Sequence, residues 1–437
     1  MSKRKIALIS DHASPLAVAG GTDSGGQNVY VAHVARELAR AGHDVDVFTR
    51  REEPSVSEIV EKDGYRVIHV PAGLATVLPK EELLRYMGEF AAYLLHFARR
   101  EAEHRPYDLL HANFFMSGLV GLIVKRQLGI PLVVTFHALG KVRRMYQGDA
   151  DRFPDARFEI EDELMREADR IIAECEQDSH HIANLYESDA SRVDVVPCGF
   201  DPGEFAPLER RSARALLGWD PDAFIVLQLG RLVPRKGVDN VIRAIGALRH
   251  RLGKEAKLYV VGGNSEEPDE KATPEIARLK GVASAERVED LVVFAGRRGR
   301  EVLRYYYAAS DVFVTTPWYE PFGITPVEAM ACARPVIGAA VGGIRSTVVD
   351  GVTGYLVPPN EPDAVATRIS HLMTNPALAE RLGLAGRARA SSLYTWSGVT
   401  RRIAAVYERT LTRERAAGRR HEYVRDARLP ASSRMAR

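Results

Sequence analysis

The sequence predicts an α/β protein with two facing, doubly wound parallel-sheet domains and a cleft between them. Its 437 residues exceed what one hydrophobic core usually organises, so two domains are expected. Short β-branched runs alternate with helical patterns along two successive stretches of the chain. A Pro- and Gly-rich segment, 197–207, separates these stretches. Because ligands bind at the carboxyl ends of parallel strands, the cleft is the expected active site.

The first predicted domain covers residues 1–200 and the second covers 201–395. The strand-like runs of the first are KIALIS, DVDVF, RVIHV, DLLHA, PLVVTFH, RIIAEC and RVDVVP. Those of the second are AFIVLQLG, KLYVVGG, LVVFAG, DVFVTT, PVIGA and GYLVP. Residues 411–437 carry eight arginines against three acidic residues and show little apolar periodicity, which predicts a mobile basic tail.

Composition excludes several classes of function. Apolar residues make up 46% and charged residues 27%, as in ordinary globular proteins. The net charge of +2 gives no bulk attraction to nucleic acid or to a membrane, and no stretch has the length of a transmembrane helix. The three cysteines (Cys175, Cys198 and Cys332) show neither metal spacing nor a disulfide pattern. These features predict a cytoplasmic protein without a nucleic-acid partner.

A glycine-rich loop opens the first domain. The stretch GGTDSGGQNVYVAHVARELARAG, 20–42, follows a predicted strand and leads into an amphipathic helix. A helix N-terminus of this kind can bind an anion. The pattern contains neither the dinucleotide fingerprint nor a P-loop. The structural alternative is that Ser24 and Gln27 form a capping box and only start the helix.

Two histidines end predicted strands of the first domain. His111 closes DLLH and His137 closes VVTFH. A histidine at a strand end most often completes the packing, and this interpretation is kept for His111.

The second domain begins with two cations at a strand end. In LGRLVPRKG, 229–237, Arg231 and Lys236 follow a strand and Gly237 opens a helix. A guanidinium and an ammonium beside a helix N-terminus suit a diphosphate. The structural alternative is a solvated basic loop.

Two carboxylates flank a Pro- and Gly-containing turn in YEPFGITPVEAM, 319–330. Glu320 follows a strand directly, and Glu328 lies eight residues further on. Both carboxylates are predicted to face one strand end, where the vicinal hydroxyl groups of a sugar are natural partners. The backbone N–H groups of the intervening residues (Phe322, Gly323, Ile324 and Thr325) are expected to face the same space. As a structural alternative, Thr325 and Glu328 form a capping box.

Together, GRLVPRKG, the E-x7-E of EPFGITPVE, VGG at 261–263 and GGQNVYV resemble the retaining nucleotide-sugar glycosyltransferases of family 4. These enzymes have two Rossmann-like domains in the arrangement called GT-B. The resemblance extends from Lys5 to about Arg409. It is closest to the group that contains sucrose-phosphate synthase, sucrose synthase and the mycothiol-pathway inositol-phosphate glycosyltransferase.

The resemblance implies a donor site. Arg231 and Lys236 would hold the donor diphosphate, Glu328 the ribose, and Glu320 the hydroxyl groups of the transferred sugar. His137 would contact that sugar near its reacting face. The remaining implied donor contacts are Gly25, Gly26, Gly262, the backbone near Arg297 and Arg298 for the base, and the turn residues Phe322, Gly323, Ile324 and Thr325. The final helix, 396–410, would cross back onto the first domain.

The acceptor is less defined. Lys80, Lys141 and Arg157 match positions at which sugar-phosphate-using relatives hold the acceptor phosphate, and Gln27 matches a residue of sucrose-phosphate synthase. Phe114 and Ala138 stand where the inositol-phosphate enzyme carries hydroxyl groups. The resemblance therefore implies a sugar or sugar-phosphate acceptor, with an inositol phosphate, a polysaccharide or a lipid-linked acceptor left open.

No metal and no cofactor are expected, because Arg231 and Lys236 can neutralise the leaving diphosphate. The D-x-D pairs (Asp44/Asp46, Asp149/Asp151 and Asp220/Asp222) lie in a strand or in turns. The resemblance implies retention. This expectation is supported by the lack of an obvious in-line carboxylate base in the first-domain strand-end loops, Asp23 being the nearest candidate. A homo-oligomer is possible. The alternatives are a nicotinamide oxidoreductase, which lacks its fingerprint here, and a catalytically silent nucleotide-sugar-binding protein.

Overall fold

The computed structural model describes residues 2–17 and 25–416, and it contains the two predicted sheets. The strands of the first sheet are β1 (Lys5–Ile9), β2 (Asp44–Arg50), β3 (Ile59–Lys62), β4 (Tyr65–Val70), β5 (Leu109–Asn113), β6 (Leu132–Thr135), β7 (Arg170–Ala173) and β8 (Val193–Val195). Those of the second are β9 (Ile225–Leu229), β10 (Lys257–Val261), β11 (Val292–Gly296), β12 (Val312–Thr315), β13 (Val336–Ala339) and β14 (Gly354–Val357). The strand orders are β3-β4-β2-β1-β5-β6-β7-β8 and β11-β10-β9-β12-β13-β14.

Helices connect these strands and cover both faces of each sheet. In the first domain they are α1 (Gly26–Arg40), α2 (Met87–Ala102), α3 (Phe115–Leu128), α4 (Gly140–Gln147), α5 (Ala156–Glu167) and α6 (Glu176–Leu185). From there on they are α7 (Arg210–Leu217), α8 (Val238–Leu252), α9 (Pro274–Ala285), α10 (Arg300–Ala309), α11 (Ile324–Ala331), α12 (Ile344–Thr347), α13 (Pro362–Thr374), α14 (Pro376–Leu393) and α15 (Trp396–Ala416).

One strand was not predicted. Within the described residues, the named strands of both sheets pair in parallel except β3, which pairs antiparallel with β4. Its residues are mostly exposed, and only Ile59 and Val60 are apolar, so the sequence carries a weak signal for this strand. Asp63 and Gly64, both with positive φ, form the hairpin turn. The Asp-Gly pair was therefore the clearer local indication of β3.

The first sheet is covered on both faces by apolar helices. The α2 and α3 side chains pack with Ile9 and Phe48 on one face. On the other face α1 packs together with α15, and this cluster continues through Phe200 and Phe205 of the linker into the second domain. The second sheet has α8, α9 and α13 on one face and α10 and α11 on the other. The two sheets thus meet along one continuous apolar layer.

The last helix returns to the first domain. The Phe200 N–H donates to the Tyr394 carbonyl at 2.8 Å, and the Trp396 N–H donates to the Phe200 carbonyl at 3.0 Å. The Trp396 indole then stacks on the His33 imidazole of α1, with ring centroids 5.0 Å apart. The helix begins at Trp396 as expected and continues to Ala416, six residues beyond the predicted end. The rest of the predicted basic tail, 417–437, lies outside the described residues.

None of the helices within 2–17 and 25–416 combines the length and the apolar character that crossing a bilayer requires. The three cysteines are buried and unpaired.

Candidate active site

The carboxyl ends of the two sheets face each other across a cavity of about 270 Å³. All the sequence-predicted site residues except Lys141 and Arg157 line it. From the first domain these are Gly25, Gly26, Gln27, Lys80 and His137; from the second they are Arg231, Lys236, Gly262, Arg297, Arg298, Glu320, Phe322, Gly323, Ile324, Thr325 and Glu328. The fold thus brings together residues that are more than 300 positions apart in the sequence.

Lys236 and Glu320, which both line the cavity, form an ion pair. Lys236 ends a short 3-10 turn after β9, and Glu320 lies in the loop after β12. Burial lowers the pKa of the Lys236 ammonium to about 8, although Glu320 opposes this shift. Burial alone would raise the pKa of the Glu320 carboxyl, but the nearby cations lower it below its ordinary value. An anionic ligand that binds Lys236 would therefore compete with Glu320 for one ammonium group.

Two glycines allow the loops that carry Lys236 and Glu320 to approach neighbouring backbone closely. Gly237, next to Lys236, has φ +65, and a Cβ there would lie 1.9 Å from the Thr316 carbonyl oxygen. Gly342 has φ +47, and its Cβ would lie 1.8 Å from the Glu320 carbonyl oxygen. A side chain at either position would push the Lys236 and Glu320 loops apart.

Glu328 is buried, and its carboxylate has two protein partners. Arg300 Nη1 donates to Oε1 at 3.0 Å, and the Tyr307 hydroxyl donates to Oε2 at 2.9 Å. The helix α11 starts at Ile324 with Gly323 as its N-cap, so Thr325 lies inside the helix. The alternative of a Thr325–Glu328 capping box is therefore wrong, and Glu328 is held by the neighbouring helix α10.

The glycine-rich loop abuts the cations of the second domain. A Cβ on Gly25 would lie 3.5 Å from Arg231 Nε, and one on Gly26 would lie 3.5 Å from Ile324 Cδ1. The Asn28 side chain accepts from the Gly25 N–H at 2.9 Å and so closes the start of α1. Gln27 is not the cap, because its Nε2 instead donates to the Asn113 carbonyl at 3.2 Å. Ser24, the other member of the predicted capping box, lies outside the described residues, as does Asp23.

His137 is fixed from both sides of its ring. Nδ1 lies 2.9 Å from Glu174 Oε1, and Nε2 lies 3.0 Å from Asn113 Oδ1. Its backbone has φ +57, which is unusual for a residue with a side chain and often marks a functional site. The Tyr30 ring packs against the imidazole edge at 4.8 Å between centroids.

His111 has the packing role that the sequence suggested. It is fully buried, with Nδ1 2.6 Å from the Tyr407 hydroxyl of α15 and Nε2 2.9 Å from Thr135 Oγ1. Burial, and to a lesser extent His137, lowers the pKa of His111 to about 3. It stays neutral and ties α15 to the first sheet.

Glu174 is a carboxylate that the sequence interpretation missed. It directly follows β7, lines the cavity, and accepts from both His137 and the Cys198 thiol, the latter at 3.0 Å. Glu174 is thus a carboxylate at a first-domain strand end, which the sequence interpretation did not weigh as an in-line base. The position of Glu174 immediately after the run RIIA was the available signal, because strand ends face the cleft. Further lining residues that were not singled out are His12, Arg143, Gln147, Cys198, Arg235 and Arg300.

Lys141 and Arg157 do not line the cavity. Lys141 Nζ donates to Asp162 Oδ1 at 2.7 Å and to the Leu185 carbonyl at 2.9 Å. Arg157 is buried and donates from Nε to Glu161 Oε1 at 2.7 Å. Its guanidinium packs 4.8 to 4.9 Å from the centroids of three phenylalanine rings, those of Phe114, Phe115 and Phe153. Both side chains thus have protein partners, and two residues that contact Arg157, Phe114 and Ala138, line the cavity.

One group of side chains has the spacing of a metal site. His33, Asp201 and Glu204 lie together beside the linker. Asp201 accepts from Arg36 and Glu204 accepts from Arg300, so guanidinium groups already compensate both carboxylates. Burial, with Arg36 and Arg300, lowers the pKa of His33 to about 3. This cluster is better described as an interdomain ion network than as a metal centre.

Two doubly wound domains border a cleft that contains basic loops suited to an anion and carboxylates suited to hydroxyl groups. This arrangement defines a glycosyltransferase of the GT-B class. Comparison with known protein families agrees with this assignment. The family described as Glycosyltransferase Family 4 matches residues 24–204, and Glycosyl transferases group 1 matches residues 209–389. The chain belongs to glycosyltransferase family 4.

The similarity to individual relatives extends over nearly the whole chain. The D-inositol 3-phosphate glycosyltransferase of Actinosynnema mirum is 37% identical over 420 residues, which cover 92% of this chain and 97% of the relative. The enzyme of the same name from Kineococcus radiotolerans is 37% identical over 433 residues, covering 96% and 98%. Among solved structures, sucrose-phosphate synthase from Thermosynechococcus elongatus is 32% identical with a TM-score of 0.85, covering 94% of this chain and all of that one.

A more distant structure shares the fold. Anabaena HepE in complex with UDP and glucose has a TM-score of 0.70 at 21% identity, and the match covers 93% of this chain and 99% of that one. The predicted fold class is thereby confirmed, and the chain is an enzyme of the glycosyltransferase type.

Proposed function

We propose that this glycosyltransferase moves a hexose from a UDP-sugar to a hydroxyl group of a sugar or sugar phosphate, with retention of configuration and without a metal. The observation that carries the proposal is the meeting of His137, Lys236 and Glu320 in one cavity. A carboxylate, an imidazole and an ammonium at one place suit a bound hexose and a departing diphosphate. The binding of UDP and glucose by HepE supports this choice of donor.

The leaving diphosphate gains negative charge as its bond to the sugar breaks. Arg231 and Lys236 lie beside the cavity, where positive charge stabilises that change without reorganisation. The proposal therefore needs no divalent ion. A cytoplasmic location and a homo-oligomeric state stay predictions.

Retention follows if the proton of the acceptor hydroxyl passes to the leaving phosphate oxygen on the same face of the sugar. The C–O bond to the diphosphate breaks, the C–O bond to the acceptor forms, and the released diphosphate carries the proton. Glu174 is the one described first-domain carboxylate at this place that could act from the opposite face. Its Oε1 already accepts from His137 and Cys198, which favours a supporting role for this residue.

Two acceptor classes have support. The match to sucrose-phosphate synthase favours a sugar phosphate, whereas the names of the 37%-identical relatives favour an inositol phosphate. Against the inositol phosphate stand Phe114 and Ala138, which line the cavity at the positions where the resemblance implies hydroxyl groups in the inositol-phosphate enzyme. We therefore place the sugar phosphate first and the inositol phosphate second.

The deciding experiment is a transfer assay with UDP-, ADP- and GDP-glucose against fructose 6-phosphate, inositol 1-phosphate, inositol 3-phosphate and no acceptor. We expect transfer from UDP-glucose to fructose 6-phosphate, slow hydrolysis without acceptor, and rates that EDTA leaves intact. The anomeric proton of the product, observed by NMR, should show an α linkage. A β-linked product would refute the mechanism. Loss of activity in EDTA with recovery in Mg²⁺ would refute metal independence.

A further inference from the structure

The two side chains that donate to Glu328 are each backed by a residue of the linker. Arg300 donates to Glu328 Oε1 at 3.0 Å, and the Tyr307 hydroxyl donates to Oε2 at 2.9 Å. Behind Arg300 lies Glu204, whose Oε2 accepts from Nη2 at 2.7 Å and from Nε at 3.1 Å. Behind Tyr307 lies the Phe205 ring, with the two ring centroids 5.8 Å apart. Two consecutive linker residues therefore support a carboxylate that lines the cavity.

The contact with Glu204 fixes the direction in which the Arg300 guanidinium points. Nε and Nη2 face Glu204, Nη1 faces Glu328, and the group lies 5.1 Å from the centroid of the Phe205 ring. A guanidinium is a rigid plane, so holding two of its nitrogens determines the position of the third. Burial alone would lower the pKa of Arg300, but Glu328 and Glu204 raise it above its ordinary value. Without Glu204, the charged plane could turn about its stem and release Glu328.

The linker turn that carries Glu204 is itself anchored on the first domain. The Asp201 carbonyl accepts from the N–H groups of Glu204 at 3.0 Å and of Phe205 at 2.9 Å. The Asp201 carboxylate accepts from Arg36 of α1. The turn is thus held in place from the first domain, while its side chains reach into the second.

Glu328 keeps acceptor capacity toward the cavity. Each oxygen of a carboxylate can accept about two hydrogen bonds. Arg300 takes one position on Oε1, and Tyr307 takes one position on Oε2. The second position on each oxygen suits one of two neighbouring hydroxyl groups, which is the arrangement found on a ribose.

We propose that Glu204 of the linker is a positioning residue for the donor. Acting through Arg300, it aims the Glu328 carboxylate at the ribose hydroxyl groups of the nucleotide. The inference rests on the proposed function in placing a nucleoside diphosphate sugar in the cavity. Residues behind a ligand-binding group commonly orient it in this way. Recognition of the ribose thereby depends on the segment that joins the two domains.

Calorimetric titration with UDP and with 2′,3′-dideoxy-UDP, which lacks both ribose hydroxyl groups, tests this inference. The ratio of the two dissociation constants measures recognition of the ribose hydroxyl groups, because base and diphosphate are the same in both ligands. In the unmodified protein we expect UDP to bind about tenfold tighter or more, since hydrogen bonds to a charged group are strong. Glu204→Ala should lower this ratio by roughly three- to tenfold. A purely structural role for Glu204 would weaken both ligands equally and leave the ratio unchanged.

Two further variants serve as controls. Glu204→Gln keeps the side-chain size and one acceptor oxygen, so its ratio should lie between those of Glu204→Ala and the unmodified protein. Asp201→Asn is the matched control, because Asp201 lies in the same turn but its carboxylate pairs with Arg36 rather than Arg300. Asparagine keeps the oxygen that accepts from the Gly203 N–H at 2.8 Å, so the turn is retained. This control should leave the ratio unchanged.

A ratio near one in the unmodified protein overturns the proposal, as does an unchanged ratio in Glu204→Ala. If Glu204→Ala does not fold, an unchanged ratio in Glu204→Gln overturns it instead. An equal loss in Asp201→Asn would assign the effect to the whole turn and would also overturn it. The titrations need neither an acceptor nor transfer. A protein that distinguishes the two ligands as expected but transfers no sugar refutes the proposed function and leaves this inference intact. If ADP or GDP binds in place of UDP, the dideoxy analogue of that nucleotide is used in the same comparison.

Discussion

Lys236 links pH to donor binding. Its ammonium group loses a proton near pH 8, because burial lowers its pKa to about 8 from an ordinary 10.5. The diphosphate binds the charged form, and the second phosphate pKa, about 6, leaves the ligand fully ionised in this range. We therefore expect UDP affinity to change little close to pH 7 and to fall by a factor that approaches about tenfold per pH unit well above pH 8. Calorimetric titration between pH 6.5 and 9.5 measures this.

Lys236→Arg supplies the control for the pH dependence, since a guanidinium stays charged throughout this range. Its affinity for UDP is expected to be weaker but independent of pH. A sloping profile in Lys236→Arg would assign the titration to another group.

A second prediction about single residues concerns the charge that develops on the leaving diphosphate. Arg231→Ala and Lys236→Ala should each lower kcat/KM by about 10²-fold or more, which corresponds to about 2.7 kcal/mol of lost transition-state stabilisation. Steady-state kinetics with UDP-glucose measures the loss. Lys254→Ala is a suitable control, because Lys254 pairs with Ser370 on α13 and does not line the cavity. Rates near those of the unmodified enzyme in both cavity variants would refute the assignment.

Glu328 serves both the ligand and the fold. Glu328→Gln keeps the side-chain size but leaves Arg300 with Glu204 as its one carboxylate partner. We expect UDP to bind more weakly and the free energy of unfolding to fall by about 1–3 kcal/mol, since a buried charged hydrogen bond is lost. Titration calorimetry and urea unfolding separate the two effects. Lower stability with unchanged UDP affinity would show that Glu328 acts only in the fold.

At the scale of elements, α15 acts as a strap across the first domain. Trp396 is almost fully buried, stacks on His33 and meets the Tyr30 ring at 5.9 Å. Trp396→Ala should lower the free energy of unfolding by about 3–5 kcal/mol through loss of buried surface and a cavity. Leu384→Ala, at a side chain 52% exposed on α14, should change it by less than about 0.5 kcal/mol. Equal unfolding midpoints for both variants would contradict the strap role.

The sequence predicted most elements because buried parallel strands are continuous apolar runs. Two boundaries show the limit of such patterns. The N-cap of α11 is Gly323, where the loop needs φ +88, and this backbone requirement outweighed the capping sequence that begins at Thr325. The helix α15 runs on to Ala416 through a charged stretch. Its preceding turns are anchored to the first domain by Glu408 on Arg4 and Arg409 on Asp194, contacts over more than 200 positions.

At the scale of the molecule, the cleft is bridged by side chains as well as by the linker. Tyr146 of α4 stacks on Tyr319 of the second domain, with centroids 5.6 Å apart and planes at 12°. Gln177 of α6 accepts from the Gly342 N–H at 2.8 Å. These contacts join the two domains directly, in addition to the linker.

Tyr146→Ala should therefore admit water to the cleft. We expect the ratio of UDP-glucose hydrolysis to transfer to rise several-fold while the melting temperature stays constant, because Tyr146 is 42% exposed. Tyr146→Phe keeps the stacked ring and serves as the control. Parallel assays of free glucose and of product measure the ratio. An unchanged ratio in Tyr146→Ala would show that the stack has no part in closure.

The sequence allowed prediction of those site residues that lie at the ends of strands. Glu320, Lys236 and His137 follow strands, and parallel sheets bring such positions together. Glu174 meets the same criterion, but its partner Cys198 is 24 residues away, so the sequence does not reveal the contact. Arg157, which was predicted to hold the acceptor phosphate, does not line the cavity. Its charge suggests a phosphate ligand, whereas three aromatic rings and Glu161 already surround it.

The packing of α15 on α1 has a consequence for biosynthesis. The apolar face of α1, with Tyr30, Val34 and Leu38, is covered in part by side chains that begin at Trp396. A ribosome that has finished the first domain must add about 200 further residues before this cover exists, which takes roughly 10–40 s at bacterial elongation rates. The amino-terminal half therefore emerges with an open hydrophobic stripe and acquires its final stability only after α15 has been synthesised. Nascent chains stalled before residue 396 should be captured by chaperones and cut readily by proteases.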